Sequence, residues 1–294
     1  MKITTESVKA LRDATGAGIL DCKYALEAHG GDMEQALEYL RKRGLQKAAA
    51  KASRVTGDGL IVVKTAGEVA VAVHVGCETD FVARTRQFRS FVHELAHQVL
   101  ASPSLTDTSA LLDAEFRVTP GKKVHEFAKE LVMQLGENIT VNGVARYAEA
   151  PGRVVDAYIH AGEIEGYGAE EGRIGVLVEV SGKDSVALCE LAHDLALHIA
   201  ASNPRYVAVS DIPEDVLAAH RKERQMMLDE DKPADIKARI VEGGMNKWQQ
   251  EVVLLQQPLI REPQLSVAAW LAQAAGQLGA PVSVMRFARY AVGE

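Results

Sequence analysis

The chain has 294 residues, 47% of them hydrophobic and 25% charged, with a net charge of −7 at pH 7. That length and apolar content suffice for two cored domains, or for one with appendages. The acidic balance argues against a phosphate backbone as the main partner, and an aromatic content of 5% argues against a base-stacking platform.

Cys22, Cys77 and Cys189 lie far apart with no C-x-x-C pair, so they read as free thiols of a reducing compartment. The start of the chain has no apolar leader, and no run of about 18 apolar residues follows it. A cytoplasmic protein with no membrane segment is expected.

Residues 1–54 read as three short helices. Thr5 is placed as the cap of the first, which carries Val8 and Leu11. Thr15-Gly16-Ala17-Gly18 ends it, and a second helix sets Ile19, Cys22, Ala25 and Leu26 on an apolar face. After Gly30-Gly31, Asp32 caps a third helix with Gln35 three positions on, and Lys47 to Ala52 continues it as a helical linker. The basic run Lys42, Arg43, Lys47, Lys51 and Arg54 reads as a solvated linker face in so acidic a chain.

From Gly59 the period changes. Residues 60–64 and 69–75 form a predicted β-hairpin around Ala66-Gly67, followed by helices at 86–101 and 121–135 and a strand at 139–147. A strand at 154–160, a polar loop at 162–173, a strand at 174–180 and a helix at 185–201 come next; Asn203-Pro204 stops that helix. Residues 211–257 read as an antiparallel helical hairpin. Its first helix carries Val216, Leu217, Met227 and Leu228, and Lys232-Pro233 turns the chain. The second places Ile236, Ile240, Trp248, Val252 and Leu255 on one side, with a bend expected at Gly243-Gly244. Residues 266–276 read as a helix, and residues 282–290 as a last strand that rejoins the second sheet.

The core is an internal repeat. The strand at Val69 recurs at Ile174, an offset of 105 (174 − 69), whereas Glu94-Leu95-Ala96-His97 recurs as Glu190-Leu191-Ala192-His193 at an offset of 96 (190 − 94). The first copy thus holds nine extra residues (105 − 96), and Cys77-Glu78-Thr79-Asp80-Phe81-Val82 lies among them. Both copies need their strands and helix. Only one carries this segment, and an added loop with a Phe in polar surroundings is where a function is grafted. Each copy predicts helices on one face of an antiparallel sheet, an α+β sandwich half.

His93-Glu94-Leu95-Ala96-His97 matches H-E-x-x-H, which puts two imidazoles on one helix face for zinc. No third ligand follows in the expected context, and the partner helix shares Glu-Leu-Ala-His, so a packing helix with partly exposed histidines is the preferred reading. Gly16-x-Gly18 lacks the strand and third Gly of a dinucleotide loop and reads as a helix end. Two placements of Phe81 stay open: tucked under its own loop, or turned outward beside Asp80 as an apolar wedge for a partner.

Taken together, several motifs in order resemble the elongation factor Ts family, the exchange factors for elongation factor Tu. They are Leu11-Arg12, Thr15-Gly16-Ala17-Gly18, Asp21-Cys22-Lys23, Cys77-Glu78-Thr79-Asp80-Phe81-Val82, Gly136-Glu137-Asn138-Ile139, Tyr158-Ile159-His160, His198-Ile199-Ala200-Ala201, Val241-Glu242-Gly243, Gln257-Pro258 and Arg286-Phe287. The likeness covers essentially the whole chain.

The resemblance implies a ubiquitin-associated-like (UBA-like) bundle and linker at 1–54 and a first core half with the Thr79-Asp80-Phe81-Val82 loop at 55–150. A second core half at 151–210 and 258–294 and an inserted hairpin at 211–257 complete it. It implies binding to elongation factor Tu, both GDP-bound and nucleotide-free, through Thr79, Asp80, Phe81, Val82, Lys23, His198, Ile260 and Arg261. Asp80 and Phe81 would press near the magnesium and phosphate end of the nucleotide site. Ile260-Arg261 stands where the family commonly has Val-Met, and the 162–173 loop is longer than expected. No covalent chemistry, cofactor, metal or direct nucleic-acid contact is expected. Dimerisation within the complex is left open. A metal-dependent hydrolase centred on His93, Glu94 and His97, and a scaffold that binds without driving exchange, remain the competing readings.

Overall fold

A computed structural model describes residues 3–162, 167–183, 185–227 and 233–294, without the side chains of Leu45 and Lys47. The N-terminal part is a three-helix bundle: α1 (Thr5–Thr15), α2 (Ile19–Ala28) and α3 (Met33–Lys51). Thr4, not Thr5, caps α1, with Ser7 completing a reciprocal box. Asp32 caps α3 by accepting from the Glu34 and Gln35 amides at 3.0 Å. Leu11, Cys22, Ala25, Leu26, Ala36 and Leu40 form the bundle core. Ile19, the first residue of α2, lies outside this core and is exposed.

The first core half holds β1 (Asp58–Ala66), β2 (Val69–Cys77), the single turn α4 (Asp80–Ala83), α5 (Arg86–Ala101), α6 (Thr108–Asp113), α7 (Val124–Leu135) and β3 (Ile139–Ala148). The second holds β4 (Arg153–His160), β5 (Glu171–Gly172), β6 (Ile174–Ser181), α8 (Val186–Ser202), the hairpin α9 (Glu214–Met226) and α10 (Ala234–Val252), α11 (Val267–Leu278) and β7 (Ser283–Ala291). Strand order is β3-β2-β1-β5 in one sheet and β4-β6-β7 in the other, with all pairings antiparallel. The fold is α+β.

The repeat reaches further than the sequence suggests. In each half two strands, a helix and a third strand recur, and the third pairs with the second. The bulge in β2 at His74/Val75 has its counterpart in β6 at Glu179/Val180, again 105 positions on (179 − 74). The nine extra residues are shared out. β2 is one residue longer than β6, the connector after it spans 78–85 against 182–185 after β6, and Glu94 lies one helical turn deeper into α5 than Glu190 does into α8.

Helices cover only one face of each sheet. Leu60, Val62, Val71 and Val73 pack on α5 and α7, and Val176, Val178 and Val180 pack on α8 and α11. The alternate residues Ile61, Val63, Ala70, Ala72, Ala145 and Tyr147 meet Leu177, Val155, Ala157, Ile159, Ala288 and Tyr290, so the two sheets stack on each other. This double burial explains why β1, β2 and β6 read as apolar runs without alternation. Gly175 lies against Ile61 and Val63, where a Cβ would collide, so the sheets approach closely there.

The 162–173 segment joins the halves. Its β5 adds to the edge of β1, pairing Ile61 with Gly172 and Val62 with Glu171. Residues 163–166 of that loop lie outside the described residues. In the hairpin, Val241 and Met245 are the buried residues of α10, and Trp248 stacks on His220 with ring centroids 4.2 Å apart. Ile236 and Ile240 lie off that stripe and face solvent, as does Met227, contrary to the expected face. Leu228 and Lys232 lie outside the described residues. α10 runs unbroken through Gly243-Gly244, where a bend is expected from sequence. Among the described residues no helix is long and apolar enough to cross a membrane.

His74 is buried between the sheets with Nε2 lacking a hydrogen-bond partner and Tyr290 as its ring neighbour. Burial pushes its pKa down to about 4. The unfolded chain therefore takes up this proton first as pH falls, so stability is full above the ordinary value of about 6.5 and declines from there to about 4. Urea unfolding of the wild type should lose roughly 3 kcal/mol more between pH 7 and pH 4 than His74→Leu does; equal losses would remove His74 as the cause.

Candidate functional site

The β2–α5 connection is built from a buried half and an exposed half. Thr79 is extended (φ −134°, ψ 156°), and residues 80–83 make one helical turn, closed by Ala83 N donating to Thr79 O and Arg84 N to Asp80 O at 3.2 and 3.1 Å. Thr85 then caps α5 by accepting from the Phe88 amide. Val82 and Ala83 point into the first core with Phe88 and Phe91. Phe81, one position away, points outward and is 80% exposed. The segment expected to be a loop is therefore a helical turn, and of the two placements open for Phe81 the outward one is found.

Polar contacts fix the turn from below. The Glu137 carboxylate accepts from the backbone N–H of Glu78 (3.1 Å) and of Thr79 (3.0 Å), and from the Thr79 hydroxyl (2.6 Å). Cys77 Sγ donates to Thr79 O at 3.2 Å; burial pushes this thiol up to about 12, which keeps it a donor. Glu78 accepts from the Asn138 amide at 2.7 Å and faces Arg54 at 3.4 Å, and the Asn138 hydrogen bond holds its carboxyl below the usual range. Asp80 and Arg84 pair at 3.0 Å across one turn, and the carboxylate stays partly exposed beside Phe81.

The other expected contact residues are scattered. Lys23 is exposed on α2, 3.7 Å from Glu27. Ile19, Leu20 and Tyr24 are exposed around it, an apolar surface that the sequence reading missed. Leu20 and Tyr24 are four apart, off the Cys22-Ala25-Leu26 face, and that spacing was the available signal. Ile260 and Arg261 form the tip of a tight loop closed by Leu259 N donating to Leu265 O; Ile260 is exposed, and Arg261 meets Asp194 at 2.6 Å.

His198 corrects an expectation: it is 2% exposed and presents no surface to a partner. Burial lowers its pKa, and the neutral ring donates Nε2–H to Gln257 Oε1 at 3.0 Å. Gln257 in turn donates to Ser202 O and Glu251 O. His198 thus supports the loop that displays Ile260. It lies on the inward face of α8 because it falls on the Leu191, Leu195 and Ile199 stripe.

Two of the three H-E-x-x-H side chains, His93 and Glu94, are committed elsewhere, and His97 is exposed. His93 Nε2 lies 2.6 Å from Glu171 Oε1, Arg89 pairs with the same carboxylate, and Glu94 pairs with Arg117 at 2.6 Å. Glu171 is 3% exposed. Burial alone would raise its pKa, but Arg89, the Gly168 N–H and His93 outweigh that and hold it below the usual range. Among the described residues no three His, Cys, Asp or Glu side chains stand together as a metal site. Lys42, Arg43, Lys51 and Arg54 of the basic run each meet a partner within the chain: Glu38, Asp21, Gly136 O and Glu78. The Lys47 side chain lies outside the described residues.

A family model described as Elongation factor TS matches residues 78–294, beginning at the first residue of this anchored turn. The chain belongs to the elongation factor Ts family. It is 40% identical to the elongation factor Ts of Azorhizobium caulinodans, with 99% of this chain and 92% of that one aligned. It is 41% identical to that of Nostoc punctiforme, over 100% and 93% of the two chains. To that of Xanthobacter autotrophicus it is 40% identical, over 99% and 92%. These alignments extend over the residues of the N-terminal bundle as well.

The two neighbours in the turn should separate cleanly in stability. Phe81→Ala should change the unfolding free energy by no more than about 0.5 kcal/mol, whereas Val82→Ala should cost about 1–3 kcal/mol. Chemical denaturation checks both; a large loss at Phe81 would mean that its ring is held by its own chain.

Proposed function

We propose that this elongation factor Ts family member binds elongation factor Tu in its GDP-bound and nucleotide-free states and speeds GDP release, after which GTP rebinds. The Asp80–Phe81 turn presses near the magnesium and phosphate end of the partner's nucleotide site. The observation that carries this reading is the exposed Phe81 ring on a turn whose other side chains and backbone are anchored. A large apolar side chain held in water by a rigid frame gains when a partner buries it, by about 1.5–3 kcal/mol. If that contact forms only when the nucleotide is loosened, linkage requires that the nucleotide be weakened by the same amount. One ring thus accounts for a coupling of the usual size, about 1–3 kcal/mol.

A wedge alone binds weakly. The α2 surface around Lys23 and the Ile260–Arg261 tip offer additional contacts that raise its effective concentration at the nucleotide site. His198 contributes through Gln257 and the loop beyond it, not by touching the partner. The chain supplies no covalent step. Asp80, partly exposed and paired only across its own turn with Arg84 among the contacts described, is an acceptor for partner N–H groups beside the ring.

Release of a fluorescent GDP from Tu, with and without the protein, tests this. Phe81→Ala should slow stimulated release by about tenfold or more, the size expected from losing one buried ring, and Asp80→Ala should act in the same direction. Wild-type stimulation by Phe81→Ala would overturn the wedge. Binding to Tu with no stimulation by the wild-type protein would leave only a scaffold.

A further inference from the structure

Three parts of the molecule that are remote in sequence meet at residues 136–138. First, α7 carries the helical bundle. Met133 lies against Gly44 in the middle of α3, where any Cβ would collide with its sulfur, and Gln134 lies against Gly16. Second, the linker leaving α3 is fastened to the corner that follows α7. Lys51 Nζ donates to Gly136 O, and Asn138 Nδ2 donates to Arg54 O at 2.8 Å. Third, the next side chain, Glu137, grips the Phe81 turn through both backbone N–H groups that precede α4 and through the Thr79 hydroxyl. The Asn138 amide also holds Glu78, the residue that starts this turn.

Given the exchange role proposed for this chain, we infer that Glu137 is a positioning residue for nucleotide release: it sets the direction of Phe81 relative to the bundle, while touching neither partner nor nucleotide. Two features support this. Glu137 and the turn are 58 residues apart, so the contact is not a by-product of local chain geometry. The three acceptor contacts also reach the stretch where β2 has ended and α4 has not begun, which has no ladder of its own to hold it. Val82 and Ala83 fix where the turn sits from its core side, and the carboxylate holds the backbone that leads into it from the other. Phe81 can then act as a wedge because it is pre-aimed, and little ordering is left to do on binding.

The test is Tu-bound GDP release as a function of factor concentration, with Glu137→Ala and Glu137→Gln. A glutamine keeps one oxygen for the two amides and turns its –NH₂ to the Thr79 hydroxyl, which can accept instead. Glu137→Ala should lower the maximal release rate by about tenfold or more, as misaimed groups do. Its half-saturating concentration should stay within about twofold, because the other contacts persist. Glu137→Gln should recover most of the maximal rate. In a Phe81→Ala background, Glu137→Ala should add no further loss.

A wild-type maximal rate for Glu137→Ala beside a slow Phe81→Ala would overturn the positioning role and leave the wedge standing. Wild-type rates for both would overturn the two together. A loss confined to half-saturation would make Glu137 a docking residue and overturn the inference. Should Glu137→Ala fail to fold, Thr79→Val removes one of the same contacts and should lower the maximal rate in the same sense; an unchanged rate there would overturn the inference equally.

Discussion

A carboxylate that accepts three hydrogen bonds from a short exposed turn is the constraint on which the rest of this molecule depends. Glu137 holds the backbone of Glu78 and Thr79, Val82 and Ala83 enter the core one turn later, and between those two anchors Phe81 leaves the backbone on the solvent side. Water-exposed aromatic rings are usually a cost. Here the cost is set by the backbone, which is anchored on both sides and leaves the ring 80% exposed. An apolar group in that state has much to gain from a second surface.

The duplicated core explains how so specific a device stands on a generic frame. Two three-stranded units with matched bulges stack through Ala, Gly and β-branched residues, and a helix covers the outer face of each. What differs between the halves is inserted at connections: the α4 turn after β2, α6 between α5 and α7, the β5 segment between β4 and β6, and the α9–α10 hairpin between α8 and α11. The insert with β5 is also the clasp. Its Glu171 pairs with Arg89 and is hydrogen-bonded to His93 of the other half, so the first residue of the motif that resembles a zinc helix belongs to a polar seam between repeats. Breaking such a seam by removing one partner leaves a charge buried and unpaired, which costs more than the pair contributes when whole.

Fold legibility followed the range of the forces. The longer strands and helices were readable to within a few residues, because periodicity and caps are local, as with Asp32 at α3 and Gly59 at the start of β1; the short α4, α6 and β5, which are held by tertiary contacts, were not. The Phe81 segment stood out because one repeat has it and the other lacks it. Errors came where a side chain had to choose between faces. Ile19, Ile236 and Ile240 sit at helical spacings that look inward, yet the packed stripe lies elsewhere on each helix. His198 resembled a surface contact and is sealed against Gln257.

By itself the sequence determined the longer elements, their order, the repeat and the family, since these rest on patterns within some tens of residues. The tertiary structure alone decided that the two sheets share an apolar face, that Glu171 closes the seam between halves, and that Glu137 aims Phe81. The last two depend on groups 58 to 82 positions apart meeting within hydrogen-bond reach, and the first on apolar residues still further apart in the chain. No local propensity carries that information, because burial and long-range partnering are fixed only when the whole chain packs.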